Sequence, residues 1–365
     1  MLMNETNKYR RIVIKVGSNV LTRDDGCPDT TRISALADQI ARLHRAGIEV
    51  ILVSSGAVAS GRSILGQRAG RLDTVSARQL FSAVGQVKLL NRYYDLFHEY
   101  GIVCGQVLTT KESLSTRRQY LNQRNCMEAM LANGVLPIVN ENDTISVTEL
   151  MFTDNDELSG LVAAMMNAGA LIILSNIDGI YDGPPADPAS QVIRRVKPAQ
   201  KLSQYIDPAR SSRGRGGMAT KSRISSRAAA EGIEVVIANG RRDGILTDLV
   251  LTDKDVICTR FEPAPHPASG VKKWIASSEG FAKGALRIDQ GAAAAVRASK
   301  AASILAVGVT AVEGEFERDD LVRILAPDGT QLAVGRIACD SDTARRNAGR
   351  KGLKPFVHCD YLYME

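Results

Sequence analysis

Gly134-Val135-Leu136-Pro137-Ile138-Val139, running without a break into Asn140-Glu141-Asn142-Asp143, is the stretch on which the fold turns. Its apolar part has the length and composition of a buried strand. The polar tetrad at its carboxyl end stands where an open α/β sheet meets its ligands. Phe152-Thr153-Asp154-Asn155-Asp156 follows a few residues on and adds more carboxylate and amide groups. Crowding like charges raises the cost of ionising each of them. Folding gains nothing from such a cluster, so a cation, a polar ligand or catalysis must account for it.

Working outward, the first ~255 residues alternate short β-branched runs with longer helical patterns, which specifies a mainly parallel sheet covered by helices. Arg11 to Val16, Glu49 to Val53, Val103 to Leu108, Leu171 to Leu174 and Val235 to Ala238 supply the other strands. Ile33, Leu36, Ala37, Ile40 and Leu43 follow helical spacing, and Gly47 is placed to stop that helix. A long amphipathic segment carries Leu80, Phe81, Val84, Val87, Tyr94 and Phe97, while Ala163 to Ala168 and Met218 to Glu231 read as helical. Near Phe261 the pattern breaks into Pro263-Ala264-Pro265-His266-Pro267, which can continue neither a helix nor a central strand. Beyond Trp274 the segments shorten to Leu286–Asp289, Ile304-Leu305, Val307–Val312, Leu321–Leu325 and Leu332–Gly335, a small mainly-β domain. The expected organisation is a first domain at 8–260, a linker at 261–273 and a second domain at 274–360.

Composition narrows the class. At 365 residues, 44% hydrophobic and 24% charged, with mean hydropathy −0.08, the chain reads as an ordinary globular protein. No apolar run approaches the ~20 residues needed to span a bilayer, and no signal-peptide pattern opens it. A cytoplasmic protein is expected. Six scattered cysteines without a C-x-x-C pair argue against a zinc site or disulfide framework, and most should pack as small hydrophobes. The net charge of +6 suits nucleotides and anionic substrates as well as nucleic acid. From Lys272 onward 14 Lys/Arg face 12 Asp/Glu. The Arg345, Arg346, Arg350, Lys351 and Lys354 cluster therefore reads as a solvated helix face rather than an RNA footprint.

Four glycine- or hydroxyl-rich turns follow strands of the first domain: Lys15–Asn19, Ser54–Ala57, Asn140–Asp143 and Gly214–Lys221. Glycine there lets backbone N–H groups approach a phosphate or carboxylate. Lys15 ends a strand otherwise built of Ile and Val, in a context where strands are apolar throughout. Lys221 falls near a helix start, where the macrodipole disfavours a cation unless an anion is bound. No G-x-x-x-x-G-K-[ST] and no G-x-G-x-x-G opens a βαβ unit, and Gly61 to Gly66 has the wrong spacing. No G-x-S-x-G elbow is present. Two lysines, glycine loops and a carboxylate cluster remain, the parts that phosphoryl transfer needs.

Lys15-Val16-Gly17-Ser18-Asn19-Val20-Leu21-Thr22, Val53-Ser54-Ser55-Gly56-Ala57-Val58-Ala59-Ser60-Gly61, Val139-Asn140-Glu141-Asn142-Asp143, Asp154-Asn155-Asp156-Glu157-Leu158-Ser159 and Gly216-Gly217-Met218-Ala219-Thr220-Lys221 together resemble the amino acid kinase family. The likeness is to its branch that phosphorylates the γ-carboxylate of L-glutamate, and it spans nearly the whole chain. Residues 275–350 are similar to the PUA domain that follows the kinase domain in many bacterial members. The resemblance implies an open, mainly parallel sheet sandwiched by helices (the amino acid kinase fold) with a small mainly-β PUA-like domain behind it. It implies ATP and Mg2+ as cofactors, with no dedicated protein metal ligands assigned. It also implies homo-oligomerisation, with proline as a feedback inhibitor. PUA-like domains bind RNA in several enzymes, so an RNA-binding or RNA-modification protein stays the alternative of a different class, disfavoured by the near-balanced charge of the second domain. No membrane partner is expected. Carried over by position, Lys15, Lys221 and Asp156 would be catalytic, with Asp156 orienting the two lysines. Ser55, Gly56, Asp143, Asn155, Asn140 and Asp154 would hold glutamate, Asp143 facing its α-ammonium. Lys15, Gly17, Ser175, Asn176, Gly216, Gly217, Met218, Ala219, Thr220 and Lys221 would contact the nucleotide. Asn176 stands where many members have Asp, and Thr153 where Gly is common. Acetylglutamate and uridylate kinases share the fold and the lysines, but an anionic Asp143 is a poor partner for an acylated amine.

Overall fold

The computed structural model describes residues 7–66, 72–111, 117–145, 154–185, 187–198, 217–252, 254–265, 282–298 and 302–364, with isolated positions at 114, 200, 202 and 205. The chain divides into two compact units, Met1–Lys111 with Gln123–Pro267, and Glu112–Asn122 with Ala268–Glu365.

In the first unit the strands are β1 (Arg11–Val16), β2 (Glu49–Ser54), β3 (Cys104–Thr109), β4 (Leu136–Glu141), β5 (Ala170–Ser175), β6 (Arg195–Val196), β7 (Glu234–Asn239) and β8 (Thr259–Phe261). They form one eight-stranded sheet in the order β3-β4-β2-β1-β5-β7-β8-β6. All neighbours are parallel except β7 and β8, which run antiparallel. The central strands are buried on both faces, and Ile12, Ile14, Ile51, Leu52, Leu171 and Ile237 are all closed off from solvent. That accounts for their nearly unbroken apolar runs. Pairing of β2 with β4 begins at Leu52 and Ile138, one residue after Pro137, which has no N–H to give a ladder.

The helices are α1 (Ser18–Leu21), α2 (Thr30–Arg45), α3 (Ala57–Leu65), α4 (Thr74–His98), α5 (Arg117–Ala132), α6 (Asn155–Met165), α7 (Met218–Ala230) and α8 (Ile245–Val250). Asp29 caps α2 by accepting from the Arg32 N–H, and all five of its spaced apolar residues are buried. Gly47 ends that helix at φ +84°, a conformation only glycine adopts without cost. α4 buries Phe81, Leu89, Tyr93, Leu96 and Phe97 but leaves Leu80, Val87 and Tyr94 to solvent.

In the second unit, β9 (Gly284–Ile288), β10 (Val309–Gly314), β11 (Leu321–Leu325), β12 (Gln331–Arg336) and β13 (Leu362–Met364) form a sheet ordered β10-β9-β11-β12-β13. Two short helices, α9 (Gln290–Ala298) and α10 (Ser341–Asn347), accompany it. Two strand expectations need correction. Ile304 makes only an isolated bridge to Val357, and Ala306–Gly308 is a 3-10 turn that precedes β10. Leu362–Met364 gave no period-2 signal because three residues are too few to show one.

The expectation that most cysteines are packed inside also fails. Only Cys258 is fully buried, while Cys126 is exposed and the other four are partly covered. Arg345 pairs with Glu315 at 2.6 Å and with Asp342 at 3.2 Å, so its charge is already engaged within the domain. Among the described residues, no helix is long and apolar enough to cross a membrane.

Candidate active site

The chain runs from β1 to β2 on one side of the sheet, while β5 flanks β1 on the other. A parallel sheet opens a crevice beyond its carboxyl ends where the strand order reverses in this way. Lys15 is the fifth residue of β1, next to that point, and its side chain is 6% exposed. Gly17 follows, donating its N–H to the Leu174 carbonyl at 3.2 Å. A Cβ on Gly17 would stand 3.3 Å from that oxygen and 3.4 Å from Lys15 Nζ, so the bare backbone keeps the turn tight against the lysine.

Asp156 sits in the first turn of α6 and is fully buried. Its Oδ1 lies 2.5 Å from Lys15 Nζ and its Oδ2 lies 2.8 Å from Lys221 Nζ. Two ammonium groups, 206 residues apart in the chain, thus meet on one carboxylate. Burial pushes the Asp156 carboxyl up, but the charges of Lys15 and Lys221 outweigh burial and hold it below the usual carboxylate range. α6 and α7 pack closely through Gly160, where a Cβ would come within 2.8 Å of the Ile224 side chain. That contact brings Lys221 within reach of Asp156.

Asp154 caps α6, its Oδ1 accepting from the backbone N–H groups of Asp156 at 2.9 Å and Glu157 at 3.1 Å. Among the described residues its buried Oδ2 has no hydrogen-bond partner. Burial, followed by the neighbouring Asp156 charge, pushes the Asp154 carboxyl up to about 6. A carboxyl raised in the folded state binds its proton more tightly there than in the unfolded chain. Stability from this group is therefore greatest below its unfolded value of 3.8 and declines as pH rises to about 6. Asp154→Asn keeps both cap bonds and removes the titration. The variant is expected to lose that decline in a series of thermal melts from pH 4 to 7, and to be no less stable than the parent at pH 7. A parent-like decline in the variant would refute the assignment.

The Ser55 turn is shaped by Gly56, which opens α3 at φ +101°. Asn155 spans three elements, its Nδ2 donating to Ser55 Oγ at 2.9 Å, Asn140 Oδ1 at 3.0 Å and the Ser54 carbonyl at 3.2 Å. Three acceptors on one amide nitrogen tie the ends of β2 and β4 to the start of α6. Asp143, also buried, receives Arg78 from α4, with Nε at 3.0 Å and Nη2 at 2.6 Å from its Oδ1. Ser82 Oγ donates to the other oxygen at 3.3 Å. Arg78 and Ser82 were not expected from the sequence, since nothing around them distinguishes either from an ordinary helix residue.

On the far side of the crevice, Ser175 ends β5 and its Oγ lies 3.5 Å from Asn176 Oδ1. Asn239, at the end of β7, donates to Asp178 Oδ1 at 3.1 Å, a further contact that sequence reasoning missed. Gly217 precedes α7, and no side chain among the described residues caps it. The first N–H groups of that helix, Met218, Ala219 and Thr220, have no intrahelical acceptor, and Lys221 is the first to bond back, to the Gly217 carbonyl at 3.1 Å. Gly216 lies outside the described residues, as does Thr153.

The sheet, the switch point and the doubly held carboxylate define a phosphoryl-transfer protein of the amino acid kinase type. The model of the amino acid kinase family matches residues 10–239, and that of the PUA domain matches residues 284–355. The isopentenyl phosphate kinase structure superposes with a TM-score of 0.50 at 18% identity, covering 69% of this chain and 99% of that one, a likeness of fold alone. The glutamate 5-kinase of Bacteroides thetaiotaomicron is 62% identical over 98% of this chain and 99% of its own length. That of Chlorobaculum tepidum is 47% identical, with 98% of each chain covered. The chain belongs to the amino acid kinase family and, within it, to the glutamate 5-kinases.

Proposed function

We propose that the chain transfers the γ-phosphoryl group of ATP to the γ-carboxylate of L-glutamate, giving glutamyl 5-phosphate in the first step towards proline. The observation that carries this reading is the convergence of Lys15 and Lys221 on Asp156, beside the Ser55, Asn155 and Asn140 network. In the reaction, Ser55, Gly56 and Asn155 hold the γ-carboxylate. It is ionised at neutral pH and attacks phosphorus without a general base. The phosphoryl group passes between the two ammonium groups, which neutralise the charge on its oxygens. Asp156 positions both lysines and touches no substrate. The N–H groups that open α7 face the ATP phosphates, and Gly17 gives close approach on the other side, with Ser175 and Asn176 beside the nucleotide. Asp143 receives the α-ammonium.

Mg2+ accompanies ATP in this reading. Among the described residues, the only three His, Cys, Asp or Glu side chains close enough to share an ion are His358, Cys359 and Asp360 of the second unit. Among the described residues the crevice therefore provides no all-protein cage. It suits a cation whose ligands are mostly water and phosphate oxygens, and the steps above use only the chain's own groups.

Hydroxylamine trapping of an acyl phosphate from ATP and glutamate tests the activity, and failure to form the hydroxamate would refute it. Asp143→Asn is expected to raise KM for glutamate at least ~10-fold, the scale of a lost charge-assisted hydrogen bond, with KM for ATP little changed. An unaltered glutamate KM would remove Asp143 from the substrate site. Inhibition by proline and self-association belong to the same reading, the latter supported by the exposed Leu80, Val87 and Tyr94 on α4. Proline titration of the activity and sedimentation of the free chain check them.

A further inference from the structure

We propose that Arg78 binds the α-carboxylate of the amino-acid substrate, so that Arg78 and Asp143 recognise the zwitterionic end of glutamate as one unit. The inference rests on the reading of Asp143 as the partner of the α-ammonium. Arg78 spends Nε and Nη2 on Asp143 Oδ1, and Nη2 also stands 3.5 Å from Glu141 Oε2. No bond to its Nη1 is found among the described residues, so that end of the planar fork is directed elsewhere. The side chain of Arg78 is 26% exposed and that of Asp143 is 8% exposed, so Arg78 is the more accessible member of the pair. An α-amino acid carries its ammonium and carboxylate on the same carbon. A guanidinium touching a carboxylate presents the two opposite charges at comparable spacing.

Charge balance requires the same residue. Glu141 and Asp143 place two buried carboxylates at this end of the crevice. They attract the ammonium, but without a cation they would repel the carboxylate beside it. Arg78 pairs with both, and guanidinium is the side chain best suited to a second carboxylate in bidentate geometry. The site would then require a free α-carboxylate as well as a free α-amine.

The test uses the full chain and two acceptors, L-glutamate and its α-amide, which keeps the γ-carboxylate and the ammonium but has no α-carboxylate. The wild-type chain is expected to prefer glutamate in kcat/KM by roughly 100-fold. Arg78→Gln should raise KM for glutamate by roughly 10- to 100-fold, the range of a lost charge-assisted hydrogen bond. It should move kcat far less and change turnover of the α-amide far less, so the preference collapses towards one. Arg78→Lys, which restores charge without the fork, should recover part of it. If Arg78 only tethers Asp143, Arg78→Gln lowers kcat/KM for both acceptors equally and the preference survives. That result, or a folded variant indistinguishable from wild type, overturns the proposal while leaving the kinase reading intact. Failure of the wild-type chain to phosphorylate glutamate at all would instead overturn both.

Discussion

Lys15→Met is expected to lower kcat at saturating ATP and glutamate by at least ~100-fold, and Lys221→Met by a comparable factor. Removing one preorganised charge contact from a transferring group commonly costs ~3 kcal/mol of transition-state stabilisation. The two changes should differ in stability. Asp156 is fully buried and both lysines are ion-paired with it. Breaking one partner of a buried pair leaves an uncompensated charge, at ~3–5 kcal/mol when nothing else reaches it. Lys15 is the more deeply buried of the two and makes the shorter contact, so Lys15→Met should melt lower than Lys221→Met. The double variant should lose much less than the product of the single losses, because groups acting on one phosphoryl unit are not additive. Hydroxamate yield per folded molecule, alongside thermal melts, measures both effects. Near-wild-type turnover by either folded variant would remove that lysine from the chemistry.

Gly85→Ala should be among the most damaging single-methyl changes in the first unit. Its Cβ would fall 1.8 Å from the Ala57 carbonyl oxygen and 2.5 Å from the Gly61 nitrogen, both backbone atoms that cannot rotate away. Gly61 faces the same joint from α3, its own Cβ position 1.8 Å from the Phe81 carbonyl. The two helices would have to separate, and overpacking of this kind costs ~1–3 kcal/mol or more. The functional cost is directional. α3 begins at the Gly56 turn beside Ser55, and α4 carries Arg78 and Ser82 to Asp143. A wider joint should therefore raise KM for glutamate more than KM for ATP. Gly101→Ala is the control, with φ +70° but nothing within 4 Å of the added methyl. It should cost only the ~1–2 kcal/mol of a left-handed alanine. A Gly85→Ala chain that melts with the parent and binds glutamate normally would refute this account of the joint.

Local signals carried much of the fold. The β-branched runs became strands because both faces of a parallel sheet are covered, and the spaced apolar residues of α2 turned inward as a group. The same signals were weaker in the second unit, where three-residue β13 and the isolated Ile304 bridge fall below the length at which alternation can be read. Long-range partners left no local trace. Arg78 lies 65 residues from Asp143, and Asn239 lies 61 residues from Asp178. Mid-helix Gly61 and Gly85 look like weak helix residues until the facing backbone is seen.

The sequence by itself determined which groups were available: a lysine ending an apolar strand, glycine turns, and carboxylates crowded at a strand end. Each is a cost to local folding that only a site explains. The tertiary structure alone decided which of them meet. Lys15 and Lys221 share Asp156 only because β1 and α6 adjoin at the switch point while Gly160 lets α7 close on α6. Propensity and periodicity act over a few residues, whereas the charge pairing that makes the site depends on distances set by the packing of the whole sheet.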